Sequence, residues 1–206
     1  MKAQEMPLED SKLQDPLNSV TGFKKINERS LYEGFVFRAV DASFVSPDGE
    51  KFDRELVYHP GAVAIVAIED DKVVLVRQYR APLDKIICEI PAGRCDIEGE
   101  QPEETARREL IEEAGLMCET LIKIGAFYNS PGFCDEITHI FLAFDLKPTL
   151  KQPDGPEEAL MTVEMVNLRH VQAMIDRGEI DDAKTVIGLM LALQWLENKQ
   201  ADISTA

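Results

Sequence analysis

Short apolar runs separated by turn sequences predict that much of this chain forms β-strands. "AVAIVAIE" (62–69) is apolar at nearly every position, which is typical of a central strand covered on both faces. "KVVLVRQYR" (72–80) follows after only two aspartates, so the two runs are predicted to form a hairpin. Further strands are predicted over 85–90, 120–128, 136–146 and 161–168.

Helical patterns appear in three places, over 101–114, 169–178 and 181–200. The first is predicted to begin near Pro102 and to end at Gly115, because proline suits a first turn and glycine suits a helix C-cap. In the last, one stripe at helical spacing is expected to face the core. Its members are Val186, Met190, Leu193 and Leu196.

The first sixty residues differ in character from the rest. Residues 1–20 are polar and show no periodicity, so we expect a loose N-terminal arm. Residues 31–45 and 51–59 are each predicted to be one strand, joined by the turn sequence "SPDGE". We therefore divide the chain into the arm, an antiparallel β subdomain over 21–60 and a main domain over 61–206.

Composition and charge narrow the class of protein. The 206 residues are 45% hydrophobic and 29% charged, as in a soluble globular protein, and the net charge is −16. Such a surface repels nucleic acid, and it would also repel a small phosphate compound unless cations intervened. The start lacks the apolar core of a signal peptide, no apolar run could span a membrane, and the four cysteines show no metal-type spacing. We expect a cytoplasmic protein with free thiols.

Three glutamates share one face of the helix predicted over 101–114. Glu109, Glu112 and Glu113 stand three and four residues apart, so their charges repel by roughly 0.2–0.5 kcal/mol per pair. Divalent cations between them would remove that repulsion. Mg²⁺ prefers a few carboxylates, several waters and substrate phosphates as ligands. A solvated acidic face is the simpler alternative.

The stretch from Gly93 to Leu116 resembles the Nudix box, whose pattern is Gly, five residues, Glu, seven residues and Arg-Glu-apolar-any-Glu-Glu-any-Gly-apolar. Glu100 is followed here by seven residues and then by "RELIEEAGL" (108–116), in register with that pattern. One departure precedes the helix, where six residues instead of five separate Gly93 from Glu100. A loop absorbs one extra residue at little cost, so the helix register is unaffected.

The resemblance extends over about residues 55–200 and implies the Nudix fold, an α/β fold with a mixed β-sheet sandwiched between helices. It implies that an activated water hydrolyses a nucleoside diphosphate linked to another group, with two or three Mg²⁺ ions per active site, or Mn²⁺. Glu109 and Glu113 would be the principal metal ligands, with the Ala92 carbonyl as a further one. Glu112 would assist, and Arg108 would orient the glutamates.

Residues outside the box connect the chain with the ADP-ribose branch of the family. There the general base is a glutamate on a mobile loop, and the predicted loop 147–160 carries Glu157 and Glu158. We expect one of them to be the base and the loop to close over substrate.

Three further residues are expected to bind substrate. Pro131 lies sixteen residues past Gly115, as in ADP-ribose pyrophosphatases, and is followed by Gly132. Arg80 matches a substrate-binding arginine of the branch, and its guanidinium could fork onto a phosphate.

We therefore expect Mg²⁺-dependent hydrolysis of ADP-ribose to AMP and ribose 5-phosphate. Hydrolysis of GDP-mannose or a UDP-sugar is an alternative, since "GEIDDAKTVIGL" (178–189) resembles a segment shared by those hydrolases. A Nudix-like sensor that binds ADP-ribose without turnover is another, although such proteins usually carry degenerate boxes. A calcium-buffering domain lacks support, because the chain has no EF-hand pattern.

The branch is typically homodimeric, and its N-terminal strands cross to the partner and contribute to nucleobase binding. The resemblance therefore implies dimerisation through residues 21–60. Phe35, Phe37 and Phe44 would offer aromatic surface there, although phenylalanine is more often buried in a core.

Overall fold

A computed structural model of the chain describes residues 22–153 and 155–204. The predicted arm over 1–20 lies outside the described residues. The chain divides into two compact units, of which the first ends at Val57 and the second begins at Tyr58.

The first unit is a three-stranded sheet in the order β1-β2-β3, with β1 over Lys24–Glu33, β2 over Arg38–Val45 and β3 over Lys51–Tyr58. The prediction of one strand over 31–45 is therefore wrong. The chain reverses after Glu33, where the Gly34 N–H donates to the Phe37 carbonyl at 3.1 Å, and β1 and β2 pair antiparallel. Apolar residues continue on both sides of this turn, so the hydrophobic pattern does not reveal it.

The second unit is built on a seven-stranded mixed sheet. Its order is β10-β5-β4-β9-β8, while β6 pairs with β5 and β7 pairs with β4. β4 and β9 run parallel, and the other pairs with resolved register run antiparallel. The strands are β4 Ala62–Glu69, β5 Lys72–Arg80, β6 Lys85–Glu89, β7 Ala92–Arg94, β8 Leu116–Tyr128, β9 Ile137–Pro148 and β10 Thr162–Asn167.

Helices cover both faces of this sheet, which confirms the predicted fold class. They are α1 Pro102–Ala114, α2 Pro156–Ala159, α3 Leu168–Asp176 and α4 Ala183–Ser204. On one face Ala106 and Leu110 of α1 pack on Val63, Ile65 and Phe141. The opposite face forms a second core with residues of α3 and α4, so β4 is buried on both sides as its unbroken apolar run predicts.

The predicted stripe of α4 is right in part, because Val186 and Leu196 pack against the core but Met190 does not. Met190 is 51% exposed, whereas Leu189 and Ala192 are fully buried. Gly188 faces the sheet at close range, because a Cβ at this position would lie 2.8 Å from Ile90 Cδ1 and 3.3 Å from Val66 Cγ2. Nearly the whole circumference of α4 is apolar near this point, so periodicity alone does not select the face that packs.

The sequence "PAG", expected only to stop a strand, leads into the short strand β7. This strand pairs with β4 from Ala62↔Arg94 to Ala64↔Ala92.

Within the described ranges, no helix is long and apolar enough to span a membrane.

Candidate active site

Helix α1, which carries the glutamates of the box, is capped at both ends. Gln101 and Glu104 form a reciprocal capping box, Pro102 occupies the first turn, and Gly115 ends the helix at a φ of 65°. Glu109 and Glu113 are 6% and 2% exposed, so two carboxylates of the box face the protein interior.

Arg108 holds the acidic residues together. Its Nη1 donates to Glu109 Oε1 and to Glu112 Oε2, both at 2.7 Å. Its Nε and Nη2 donate to the two oxygens of Glu100 at 3.3 and 3.2 Å, and Thr105 Oγ1 also donates to Glu100. The hydrogen bond from Arg108 lowers the pKa of Glu100. Glu100, which was not predicted to be a ligand, thus fixes the arginine that fixes the glutamates.

Strand β7 packs directly on the two buried carboxylates. The Ala92 N–H donates to Glu113 Oε2 at 2.9 Å. A Cβ on Gly93 would lie 1.9 Å from Glu109 Cδ, so only glycine allows Glu109 to occupy its position. The longer loop before Glu100 therefore leaves Gly93 in contact with the helix.

Burial raises the pKa of both carboxyls. Desolvation is the main cause, and it raises the pKa of Glu109 to about 7 and that of Glu113 to about 8. The charges of Glu112 and Glu158 raise the pKa of Glu109 further, while Arg108 lowers it. The site therefore favours protons or cations over bare carboxylates.

The donor set fits a magnesium-type ion. Among the described residues, no three His, Cys, Asp or Glu side chains converge into a ready-made metal cage. The Gly93 backbone instead leaves room for the Glu109 carboxylate, and Glu113 lies next to it on the adjoining helical turn. A cation here would draw its remaining ligands from backbone oxygen, water and phosphate, which suits Mg²⁺.

A cleft of about 440 Å³ is lined by residues of β7, and Glu109, Glu112 and Glu113 are not among its lining residues. Ala92 and Gly93, which contact Glu113 and Glu109, form part of its wall. The other lining residues are mainly polar, namely His59, Ala62, Arg80, Arg94, Asn129, Ser130, Glu136, Thr138, Asp182, Ala183 and Lys184.

Arg80 lies in this cleft, but its fork is already filled. Its Nε and Nη2 donate to the two oxygens of Glu89 at 2.6 and 2.7 Å, and Glu89 is fully buried. A phosphate would therefore contact Nη1 of the guanidinium. It could not form the predicted pair of hydrogen bonds with Nε and Nη2, because Glu89 already accepts from both.

Lys184 also donates to Glu89, and it donates to Asp182 at 3.0 Å. None of these three residues, Glu89, Asp182 and Lys184, was predicted from the sequence to belong to the site. A glutamate inside the apolar run "KIICEI" was the signal for Glu89, because a charge buried in a strand requires partners.

Glu157 and Glu158, which were predicted to lie on a loop without secondary structure, lie in the short helix α2, and their surroundings differ. Glu158 is half-buried, and its charge raises the pKa of Glu109 and Glu113, so it lies near the acidic face of α1. Glu157 is exposed, lines a separate groove with Arg77 and Tyr79, and raises the pKa of Tyr79 less than Asp84 does. Lys151 Nζ donates to the Glu158 carbonyl at 2.9 Å and holds this turn in place.

Pro131 and Gly132 occupy the turn between β8 and β9, and both are exposed. The Cys134 N–H donates to the Ser130 carbonyl at 2.9 Å, which closes the turn. Ser130 and Asn129 line the cleft, whereas Pro131 and Gly132 lie just beyond it.

Known proteins resemble this chain in domain, sequence and fold. The family model of the NUDIX domain matches residues 57–186. The chain is 41% identical to ADP-ribose pyrophosphatase of Bacillus subtilis (strain 168), covering 86% of this chain and 94% of that protein. It is 38% identical, over the same shares, to the methanol dehydrogenase activator of Bacillus methanolicus.

A solved structure shares the fold. The crystal structure of an ADP compounds hydrolase superposes with a TM-score of 0.78 at 24% identity, covering 87% of this chain and 97% of that one. With the box glutamates buried on β7, the matched domain and the high identity over most of the chain, this protein belongs to the Nudix family.

Proposed function

We propose that this protein hydrolyses the diphosphate bond of ADP-ribose to give AMP and ribose 5-phosphate, with Mg²⁺ as its cofactor. The observation that carries the proposal is the burial of Glu109 and Glu113 against Ala92 and Gly93, two residues that line a polar cleft. These carboxylates need cations, and a diphosphate of the same sign needs them too. The 41% identity to an ADP-ribose pyrophosphatase supports the choice of substrate. The free thiols of the four cysteines support a cytoplasmic location.

The residues of the chain have separate tasks in this scheme. Glu109, Glu113 and the Ala92 carbonyl would hold two or three Mg²⁺ ions, or Mn²⁺, with help from Glu112. Bound ions supply Lewis acidity and neutralise the diphosphate. Arg108 keeps Glu109 and Glu112 in place through its paired hydrogen bonds.

Glu158 is our candidate for the general base. It is half-buried near the α1 carboxylates, whereas Glu157 is exposed beside another groove. As base, its carboxylate would accept a proton from the attacking water while a P–O bond of the diphosphate breaks. Closure of the loop over substrate would bring it closer.

Substrate recognition would use Arg80 through its Nη1 edge. Pro131 and Gly132 would contribute by shaping the turn that places Asn129 and Ser130 in the cleft. Alternative substrates within the same chemistry are GDP-mannose and UDP-sugars.

We further propose a homodimer formed through the first unit. Phe35 is 87% exposed, Tyr32 is 54% exposed and Phe37 is 40% exposed, so the β1–β2 turn carries an apolar surface. Such surfaces mark interfaces. Phe44 stacks on Phe52 with ring centroids 5.5 Å apart, so it supports the sheet more than it offers free surface.

A panel of nucleotide sugars tests the reaction. With Mg²⁺, ADP-ribose should yield AMP with a kcat/KM at least about tenfold above those of GDP-mannose and UDP-glucose. Glu113→Gln should lower turnover by about 100-fold or more, while the exposed Glu103→Gln on the same helix should not. Equal or higher rates with GDP-mannose would reassign the substrate. Binding of ADP-ribose without turnover by the wild type would indicate a sensor.

Stability in EDTA should fall as pH rises. Both buried carboxyls have a raised pKa, of about 7 and about 8 against an ordinary 4.5, so the folded state keeps protons that the unfolded chain releases. The stabilisation that comes from protonating these two carboxyls is complete below pH 4.5. It is lost as the pH rises through their folded-state pKa values of about 7 and about 8. Mg²⁺ should therefore raise Tm more at pH 8 than at pH 6, because protons and cations compete for the same oxygens.

Calorimetry with Glu113→Gln and Glu103→Gln checks this expectation. The first variant should lose much of the Mg²⁺-dependent rise in Tm, and the second should keep it. An equal rise in both variants would place the cation elsewhere.

Replacing the two loop glutamates one at a time locates the base. Glu158→Gln should lower kcat by roughly 100-fold or more, the range of general-base catalysis, with Glu157→Gln within about threefold of wild type. Single-turnover kinetics at saturating ADP-ribose measures both. A large loss only in Glu157→Gln would reverse the assignment, and full activity in both would place the base outside this loop.

The mass in solution tests the dimer. Light scattering at micromolar concentration should give twice the chain mass of 23.1 kDa. Phe35→Asp should shift the mass to that of one chain, whereas Leu150→Asp, at a residue 84% exposed in the second unit, should not. A wild type that scatters as a single chain would remove the proposal.

A further inference from the structure

Glu89 occupies the centre of a buried charge network at one wall of the cleft. Its carboxylate is fully buried, and both oxygens accept from Arg80. The second oxygen also accepts from Lys184 Nζ. A carboxylate in such a place is tolerated only while its countercharges stay in position.

The network ties together three parts of the fold. Arg80 ends β5, Glu89 ends β6 and Lys184 lies in the first turn of α4. Asp182 accepts from Lys184 at 3.0 Å and from the Thr185 N–H at 3.0 Å, so it fixes the start of α4. Thr185 Oγ1 accepts from the Ile90 N–H at 3.1 Å, which joins that helix start to the end of β6.

The charges of this group balance to zero. Arg80 and Lys184 are cationic, while Glu89 and Asp182 are anionic. Arg80, Asp182 and Lys184 line the cleft, whereas Glu89 lies behind them. Loss of the Lys184 charge would leave this group of four residues with one net negative charge and Glu89 with Arg80 as its remaining cationic partner.

We propose that Lys184 is a positioning residue for Arg80, acting through the shared carboxylate of Glu89, and that it thereby sets the affinity for the phosphate of the substrate. This inference rests on the proposed function. With Lys184 in place, Glu89 Oε2 accepts from both Lys184 Nζ and Arg80 Nη2, and Arg80 lines the cleft. Without Lys184, Arg80 would be the sole countercharge of the buried Glu89 carboxylate. It would then interact more strongly with Glu89 and less strongly with the substrate phosphate.

Lys184→Met tests the role of the charge. We expect KM for ADP-ribose and Kd for AMP to rise at least about tenfold, with kcat changed by less than about threefold, because no hydrogen bond joins Lys184 to the described carboxylates of α1. Lys184→Arg keeps the charge and should stay within about threefold of wild type in Kd. Lys147→Met removes another ion-paired lysine, on β9, and should change neither constant.

A double-mutant cycle distinguishes positioning from direct contact with substrate. In a Glu89→Gln background the carboxylate charge is gone, so adding Lys184→Met should change the Kd for AMP by less than about twofold. Calorimetry with AMP in Mg²⁺ measures this without turnover. An equal loss in both backgrounds, or a loss with Lys184→Arg as large as with Lys184→Met, would overturn the proposal.

The same preparations separate this inference from the function on which it rests. A wild type that neither splits ADP-ribose nor binds AMP would overturn both. A wild type that does both, with Lys184→Met losing kcat and not affinity, would overturn the positioning role alone.

Discussion

The contact between helix α1 and strand β7 is the constraint on which the site depends. Glu109 fits only because Gly93 has no side chain, and Glu113 is held by the Ala92 N–H. The helix begins at its capping box and ends at Gly115, and within it Glu109 and Glu113 face the protein interior. Burial raises their pKa and makes a cation the natural partner at neutral pH.

The rest of the second unit supports this contact. β4 is buried on both faces and pairs with β7 on one edge and β9 on the other. The Ala92–Gly93 segment is held by its pairing with β4, and Ala106 and Leu110 pack α1 against the same strand. The sheet therefore acts as a fixed base for the acidic helix, as sites on regular elements generally require.

The charge networks around Arg108 and around Glu89 differ in net charge, and only the second supplies residues that line the cleft. Around Arg108 one cation serves three glutamates, so the acidic side stays negative and open to added cations. Around Glu89 two cations and two anions balance, so that side is neutral and well ordered. A substrate that carries a diphosphate beside a neutral group would match such an asymmetry. This match follows from the placement of charges and not from the net charge of −16.

The sequence by itself determined the elements whose pattern is strong and local. The strand over 62–69 and the box helix are present as predicted. A continuous apolar run and the residues that cap a helix are signals that lie within a few positions of each other in the sequence. The register of the box likewise singled out Glu109 and Glu113, the two carboxylates that lie buried against β7. Only the tertiary structure decided which face of α4 packs, that a turn follows Glu33, and that the fork of Arg80 is occupied by Glu89. These features depend on residues distant in the chain or on backbone turns hidden within apolar runs, and neither leaves a periodic signal.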